Sequence, residues 1–425
     1  MAQKNDILYL SFVVYNRGED LKKFLKFVIA LAAVLAVVIT SVTQITGGGM
    51  LVERIKNFAS YQEESTSTVY KSAQRNTSET ASLTEKINST LTEDEKKALD
   101  IIYDGLKNCK SSVNIYQDIE PQRIFELVGL VLSEHPEIFW SKGDCTFSQS
   151  GRLTFEYPYS KSRISEIQTQ IESRVSTIMS KIDSSASEYE KALKIFDYIT
   201  LNTSYARDEI ENIEDNVKIS TIEGVFIDNS AVCLGYAKAY QYLLNAAGID
   251  AITVCGNAQT PDGDSGHAWN AIVIDGEIYL SDATWGDGYD NTDRDEYVSY
   301  TYFLMNSAEI ELTHTPDPLY ECIKSTAKDN YFVREGLCFE EYDPLALRSK
   351  ISESIENKTF AVQFKFSDAD VYENALSQLF DKGGIYIIMK SCDPFYSEID
   401  TDKAGYSCDD THNCITIFFE PVNTN

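Results

Sequence analysis

Residues 266–285 read GHAWNAIVIDGEIYLSDATW. Asp275-Gly276 lies between two runs of alternating polarity, the strongest short signal for a two-residue hairpin whose central residues take positive φ. That turn pairs Ile274 with Glu277 and Val273 with Ile278, and further out sets Trp269 opposite Asp282 and His267 opposite Thr284. One face then collects His267, Trp269, Ala271 and Val273 with Ile278, Leu280, Asp282 and Thr284. His267 and Asp282 become diagonal neighbours on it, within reach of a His–carboxylate hydrogen bond. A slip of one residue would send Asp282 to the opposite face, so the register decides the chemistry.

Upstream, AVCLGYAKAYQYLLNAAGID (231–250) reads as a helix with Tyr236, Tyr240, Leu243 and Ala247 on one side, ended by Gly248. This helix is expected to cover the His267 face. Cys233 stands at its start, where free backbone N–H groups and the helix dipole favour a thiolate. The same N–H groups can stabilise an oxyanion. An imidazole beside the sulfur acts as general base, and a carboxylate fixes that imidazole's tautomer. Cys233, His267 and Asp282 thus read as a Cys-His-Asp triad. Taken singly, each has a plainer reading. Buried cysteine is usually an inert small hydrophobe, His267 a hydrogen-bonded core or surface group, Asp282 a turn cap, and Cys233 with Cys255 a disulfide. Their conjunction is what points to chemistry.

The chain has 425 residues, 43% of them apolar, with 26 Tyr and 20 Phe, enough for more than one hydrophobic core. A formal charge of −29 argues against nucleic acid as partner, since phosphate binding needs concentrated Lys and Arg. From Phe27, FVIALAAVLAVVITSVTQI carries no charge and is long enough to cross about 30 Å of hydrocarbon. Arg17, Lys22, Lys23 and Lys26 precede it, which keeps residues 1–26 in the cytoplasm, makes 27–46 a single-pass anchor and places the rest outside. A cleaved signal peptide is the competing reading. All nine cysteines follow this segment, and with one kept as a thiol the other eight suffice for four disulfides in an oxidising compartment; nine free thiols in a reducing compartment are the alternative.

Residues 47–91, rich in Ser, Thr, Glu and Lys, read as a polar stalk. Order is expected from Thr92, whose spacing to Glu95 is that of a capping box ahead of Leu99, Ile102 and Leu106. Ile164, Ile167, Ile171, Val175, Ile178 and Ile182 mark one face of a second helix, and Leu193, Phe196 and Ile199 of a third. AITVCG (251–256) reads as a strand and 258–266 as a loop. Residues 92–330 are taken as the site-bearing domain. Residues 331–425 form a small α+β unit whose segments TFAVQFKFS, ADVYENALSQLFDKG, GIYIIMK and NCITIFFE read strand, helix, strand, strand.

Three blocks, AVCLGYAKAYQYLLNAAGI, GHAWNAIVIDGEIYLSDATWGD and YFLMNSAEIELTHTPD, together resemble the transglutaminase-like superfamily, in particular its bacterial surface members related to cysteine peptidases. HPEIFW and SEYEKALKIFDYI extend the likeness towards residue 95 as a helical prelude. The resemblance implies an α+β, papain-like core in which a cysteine-bearing helix packs on an antiparallel sheet. It implies Cys233 as nucleophile, His267 as general base and acid, and Asp282 as orienter, working through a thioester resolved by water or by an amine. Trp269, Trp285 and Tyr236 stand close to these residues in sequence as candidates for binding substrate or shielding the site from water, or as packing aromatics.

The acid-rich run DGYDNTDRDEY lacks the order of an EF-hand loop and reads as solvated, with calcium the alternative; otherwise no cofactor is implied. No Cys/His set has zinc-ligand spacing. His314 reads as a packing residue of the THTPD tail. The expected function is therefore that of a membrane-anchored, extracytoplasmic thiol enzyme cleaving or transferring amide bonds of cell-surface proteins or peptides. A protein-glutamine transglutaminase and a catalytically idle surface-binding module are the alternatives.

Overall fold

The computed structural model describes residues 81–207, 216–260, 263–287, 297–392 and 398–422. The apolar segment 27–46 and the acid-rich run after Asp287 lie outside the described residues. Among the described residues no helix is long and apolar enough to cross a membrane.

Helices α1 (Leu83–Asn88) and α2 (Glu93–Lys107) both open with capping boxes, Ser82 with Glu85 and Thr92 with Glu95. The first falls within the stretch read as stalk. Leu83 and Ile87 are 0% exposed, and the Leu83 N–H donates to the Asp250 carboxylate at 3.0 Å. So short a helix shows no periodicity and is held by tertiary contact. Next come β1 (Ser112–Asn114), α3 (Pro121–Glu134), β2 (Cys145–Phe147) and β3 (Arg152–Phe155), the strands forming an antiparallel sheet in the order β1-β3-β2. Helix α4 (Lys161–Met179) buries Ile164, Ile167, Ile171, Val175 and Ile178, as their spacing requires. Helix α5 (Glu188–Asn202) turns Ala192, Ile195, Phe196 and Ile199 inward and leaves Leu193 half-buried.

Strands β4 (Ser204–Tyr205) and β5 (Ser230–Ala231) pair in parallel and lead into α6 (Cys233–Ala246), which Gly248 closes at φ +85°. Strands β6 (Ala251–Thr260), β7 (Gly263–Ile274), β8 (Glu277–Ser281) and β9 (His314–Pro316) make an antiparallel sheet in the order β8-β7-β6-β9, with α7 (Ala283–Gly286) and α8 (Ser307–Ile310) between the last two in sequence. The expected loop over 258–266 is mostly strand, since β6 and β7 stay paired out to Thr260 and Gly263.

The hairpin turn has Asp275 at φ +54° and Gly276 at +83°, and Ile274 pairs with Glu277, Val273 with Ile278. Pairing stops at Asn270 and Ser281, so the outer pairs Trp269–Asp282 and His267–Thr284 do not form. Asp282 leaves the strand to cap α7 instead. The expectation about α6 is also corrected. Asn270 donates to the Ala237 carbonyl and Thr253 to Gln241, so α6 packs on the face opposite His267 and Trp269. Trp269 lies instead against His314 and lines a small cavity with Ile310, Pro316 and Ile323.

The C-terminal elements are α9 (Tyr331–Arg334), β10 (Cys338–Phe339), α10 (Pro344–Glu356), β11 (Ala361–Phe366), α11 (Ala369–Leu376), α12 (Gly384–Lys390), β12 (Ile399–Asp409) and β13 (Cys414–Pro421). Their sheet runs β10-β11-β13-β12 over a hydrophobic cluster of its own that includes Phe364, Phe366, Ile415 and Ile417. GIYIIMK is helix rather than strand: Ile385, Ile388 and Met389 point inward at helical spacing while Ile387 is 71% exposed. Gln363 bonds both the Tyr300 N–H and the Val298 carbonyl, and Lys365 pairs with Glu309 at 3.0 Å, fastening this unit to the other.

All nine cysteines are free thiols, the second of the two readings of their number. Cys338 and Cys414 illustrate the reason: both pair with Lys365, from opposite sides. Two strand spacings, about 9.5 Å, exceed the span of a cystine.

Candidate active site

Cys233 is the first residue of α6 and is half-buried. Val232 at the N-cap supplies no side-chain hydrogen bond, so the helix's first N–H groups are not capped from its own N-cap position. The entry is held by backbone: Val232 N–H donates to the Ile219 carbonyl at 2.9 Å. A Cβ on Gly235 would lie 2.5 Å from that same carbonyl oxygen, so only glycine lets the first turn come so close. At mid-helix positions glycine costs about 0.5–1 kcal/mol relative to alanine, which this approach offsets.

His267, on β7 beyond the end of β8, reaches across the opening that β8 leaves. Its Nε2 lies 2.7 Å from Asp282 Oδ2, and its side chain lies near enough to the Cys233 sulfur for the two to interact electrostatically. With Nε2 engaged by the carboxylate, Nδ1 is the ring nitrogen left for a second partner. Burial alone would lower the imidazole's pKa, but the Asp282 charge, the Cys233 sulfur and the hydrogen bond to Asp282 raise it to about 10. Asp282 is 0% exposed. Burial disfavours its charge, yet His267 and His314 outweigh that and hold it well below the usual carboxylate range. Its Oδ1 accepts the N–H groups of Thr284 at 2.8 Å and Trp285 at 3.2 Å. The turn-cap and orienter readings of Asp282 therefore describe the two oxygens of one side chain.

The structure brings Cys233, His267 and Asp282 together. Trp269 and Trp285 flank the imidazole with ring centroids at 6.4 and 5.5 Å. Tyr236 is 0% exposed, and its hydroxyl contacts the Thr203 carbonyl and Asp287 Oδ2 at 2.7 Å each.

His314 was the residue to find. Its Nε2 is 3.3 Å from the same Asp282 Oδ2, and its ring stands 4.6 Å from Trp285 and 4.9 Å from Trp269. Burial lowers its pKa, with His267 and His412 acting in the same direction, despite the bond to Asp282. No local spacing marks it, because β9 reaches the site by pairing with β6. Nε2 of both imidazoles and the Asp282 oxygen fall within 4.8 Å of one another, a spread an ion could bridge. Two N–H···O bonds account for the same geometry.

A thiol beside an imidazole, which is itself held by a buried carboxylate, at a helix start on an antiparallel sheet is the arrangement of thiol acyl-transfer enzymes. Residues 176–285 match the transglutaminase-like superfamily, and the chain carries a transglutaminase-like domain there. The kyphoscoliosis peptidases of Mus musculus and Homo sapiens are each 32% identical to it over 96 residues. That match spans 20% of this chain and 14% of the relatives' length. A solved structure described as "Crystal structure of a TGase" aligns over 34% of this chain and 38% of its own, at 18% identity and a TM-score of 0.26.

Proposed function

We propose that this protein is a thiol enzyme that cleaves or transfers amide bonds of proteins or peptides through a thioester on Cys233. His267 takes the thiol proton and later returns it to the leaving amine, while Asp282 keeps Nδ1 turned towards sulfur as the proton acceptor. The observation that carries the reading is the single imidazole hydrogen-bonded to a fully buried carboxylate and set beside the sulfur at a helix start. The raised basicity of His267 suits it to take up the thiol proton.

The test is profiling of the products that the purified protein releases from a peptide library, with Cys233→Ala as control. Identical profiles would remove the enzyme reading and leave the surface-binding module. Incorporation of a primary amine into glutamine peptides would assign transfer rather than hydrolysis. Anchoring through residues 27–46 with the site outside the cell belongs to the same proposal. It rests on the uncharged run and the cations before it, and protease digestion of intact cells would test it.

A further inference from the structure

Asp282 Oδ2 is shared by two imidazoles, and of these it is His267 that interacts with the Cys233 sulfur. The other, His314, is 1% exposed, and its Nδ1 lies 2.8 Å from Thr313 Oγ1. An ionised carboxylate only accepts, so Nε2 of His314 is the protonated nitrogen that donates to Asp282, and Nδ1 is left to accept from the Thr313 hydroxyl. A neutral donor suits this place. A second cation would cancel the charge that His267 needs, whereas an N–H dipole fixes the oxygen and leaves the charge in being.

We propose that His314 is a positioning residue: its Nε2–H, with the two backbone N–H groups on Oδ1, locks the Asp282 carboxylate in the one orientation that aims Oδ2 at His267. This inference rests on the thiol–imidazole reading above. Four N–H groups hold the carboxylate, and His314 supplies the only one that is neither local backbone nor part of the proposed triad. Trp269, Trp285 and Tyr302 wall the His314 ring in, so it cannot swing away. The titratable groups that face it are Asp282, His267, Tyr302 and, from the C-terminal hairpin, His412, whose own Nδ1 is held by Asp409.

The experiment is the rate of Cys233 alkylation by iodoacetamide between pH 4 and 9 in the full chain, followed on the Cys233 peptide by mass spectrometry. His314→Leu removes the donor and should move the acid limb of the profile to higher pH, slowing labelling at pH 6 about tenfold, the equivalent of one pKa unit. His314→Gln places an amide N–H near the lost one and should restore the wild-type limb. Should His314→Leu fail to fold, Thr313→Val frees the tautomer and should give a smaller shift in the same direction. An acid limb unmoved or moved downward in these variants overturns the role of His314. A wild-type Cys233 that labels slowly at pH 6 overturns the thiol–imidazole reading itself, so the two failures are distinct.

Discussion

Replacing Asp282 separates its two duties. In Asp282→Ala the α7 cap is lost, at about 0.5–2 kcal/mol. The His267 and His314 Nε2–H groups lose their acceptor inside the core at about 1–3 kcal/mol each, so the total is roughly 2.5–8 kcal/mol. In Asp282→Asn the amide oxygen keeps the two backbone N–H groups, and the cap survives. Its NH2 then meets two ring nitrogens that both carry hydrogen. His267 must move its proton to Nδ1, where it can no longer accept the thiol proton. The expected outcome is a modest loss of stability for Asn, roughly 1–3 kcal/mol, because one polar pair is broken rather than three. Its labelling of Cys233 at pH 6 should nonetheless fall as far as that of Ala, about tenfold or more. Urea unfolding gives the first quantity and peptide-level alkylation the second. An Asn variant that labels like wild type would refute the orienter role, and an Ala variant destabilised by under about 1 kcal/mol would refute the hydrogen-bond assignment.

His267→Ala should reduce Cys233 labelling at pH 6 to the level of an ordinary thiol, measured in the same way. Because the folded-state pKa of His267 is raised to about 10, its share of stability is fully present below pH ~6.5 and is lost as pH rises through 10. Urea titrations of wild type and His267→Gln should therefore converge on the alkaline side, and parallel curves would contradict the ion pair. Gly256→Ala sets a Cβ 2.2 Å from the Thr315 carbonyl and 2.8 Å from Trp269, which pushes β9 off β6. Unfolding measurements should show a loss of about 1–3 kcal/mol, the usual range for overpacking. Gln363→Leu orphans the Tyr300 N–H and the Val298 carbonyl, so limited proteolysis should cut between the two units sooner than in wild type.

The meeting of His267 with Asp282 was legible because it depends on one turn. Asp275-Gly276 fixes the register, and register fixes which side chains meet. What local pattern could not show was where pairing ends, since that depends on the side chain of Asp282 finding the Thr284 and Trp285 N–H groups. The side of the sheet that α6 covers was equally hidden. Asn270 is polar and 0% exposed, and reads as a surface residue until the Ala237 carbonyl is placed beside it. In GIYIIMK the branched residues spoke for a strand, whereas the inward set Ile385, Ile388 and Met389 already had helical steps. His314 carries no local mark because its partner, Asp282, lies 32 residues away, just past the end of β8.

The chain has three tryptophans, and two of them stand against the paired imidazoles, while the third, Trp140, is buried with its indole N–H on the Leu106 carbonyl. A protonated imidazole quenches indole emission on contact. Any event that adds or removes the proton on His267 will therefore register in the protein's native fluorescence, giving an optical readout of the site that needs neither a substrate nor a label.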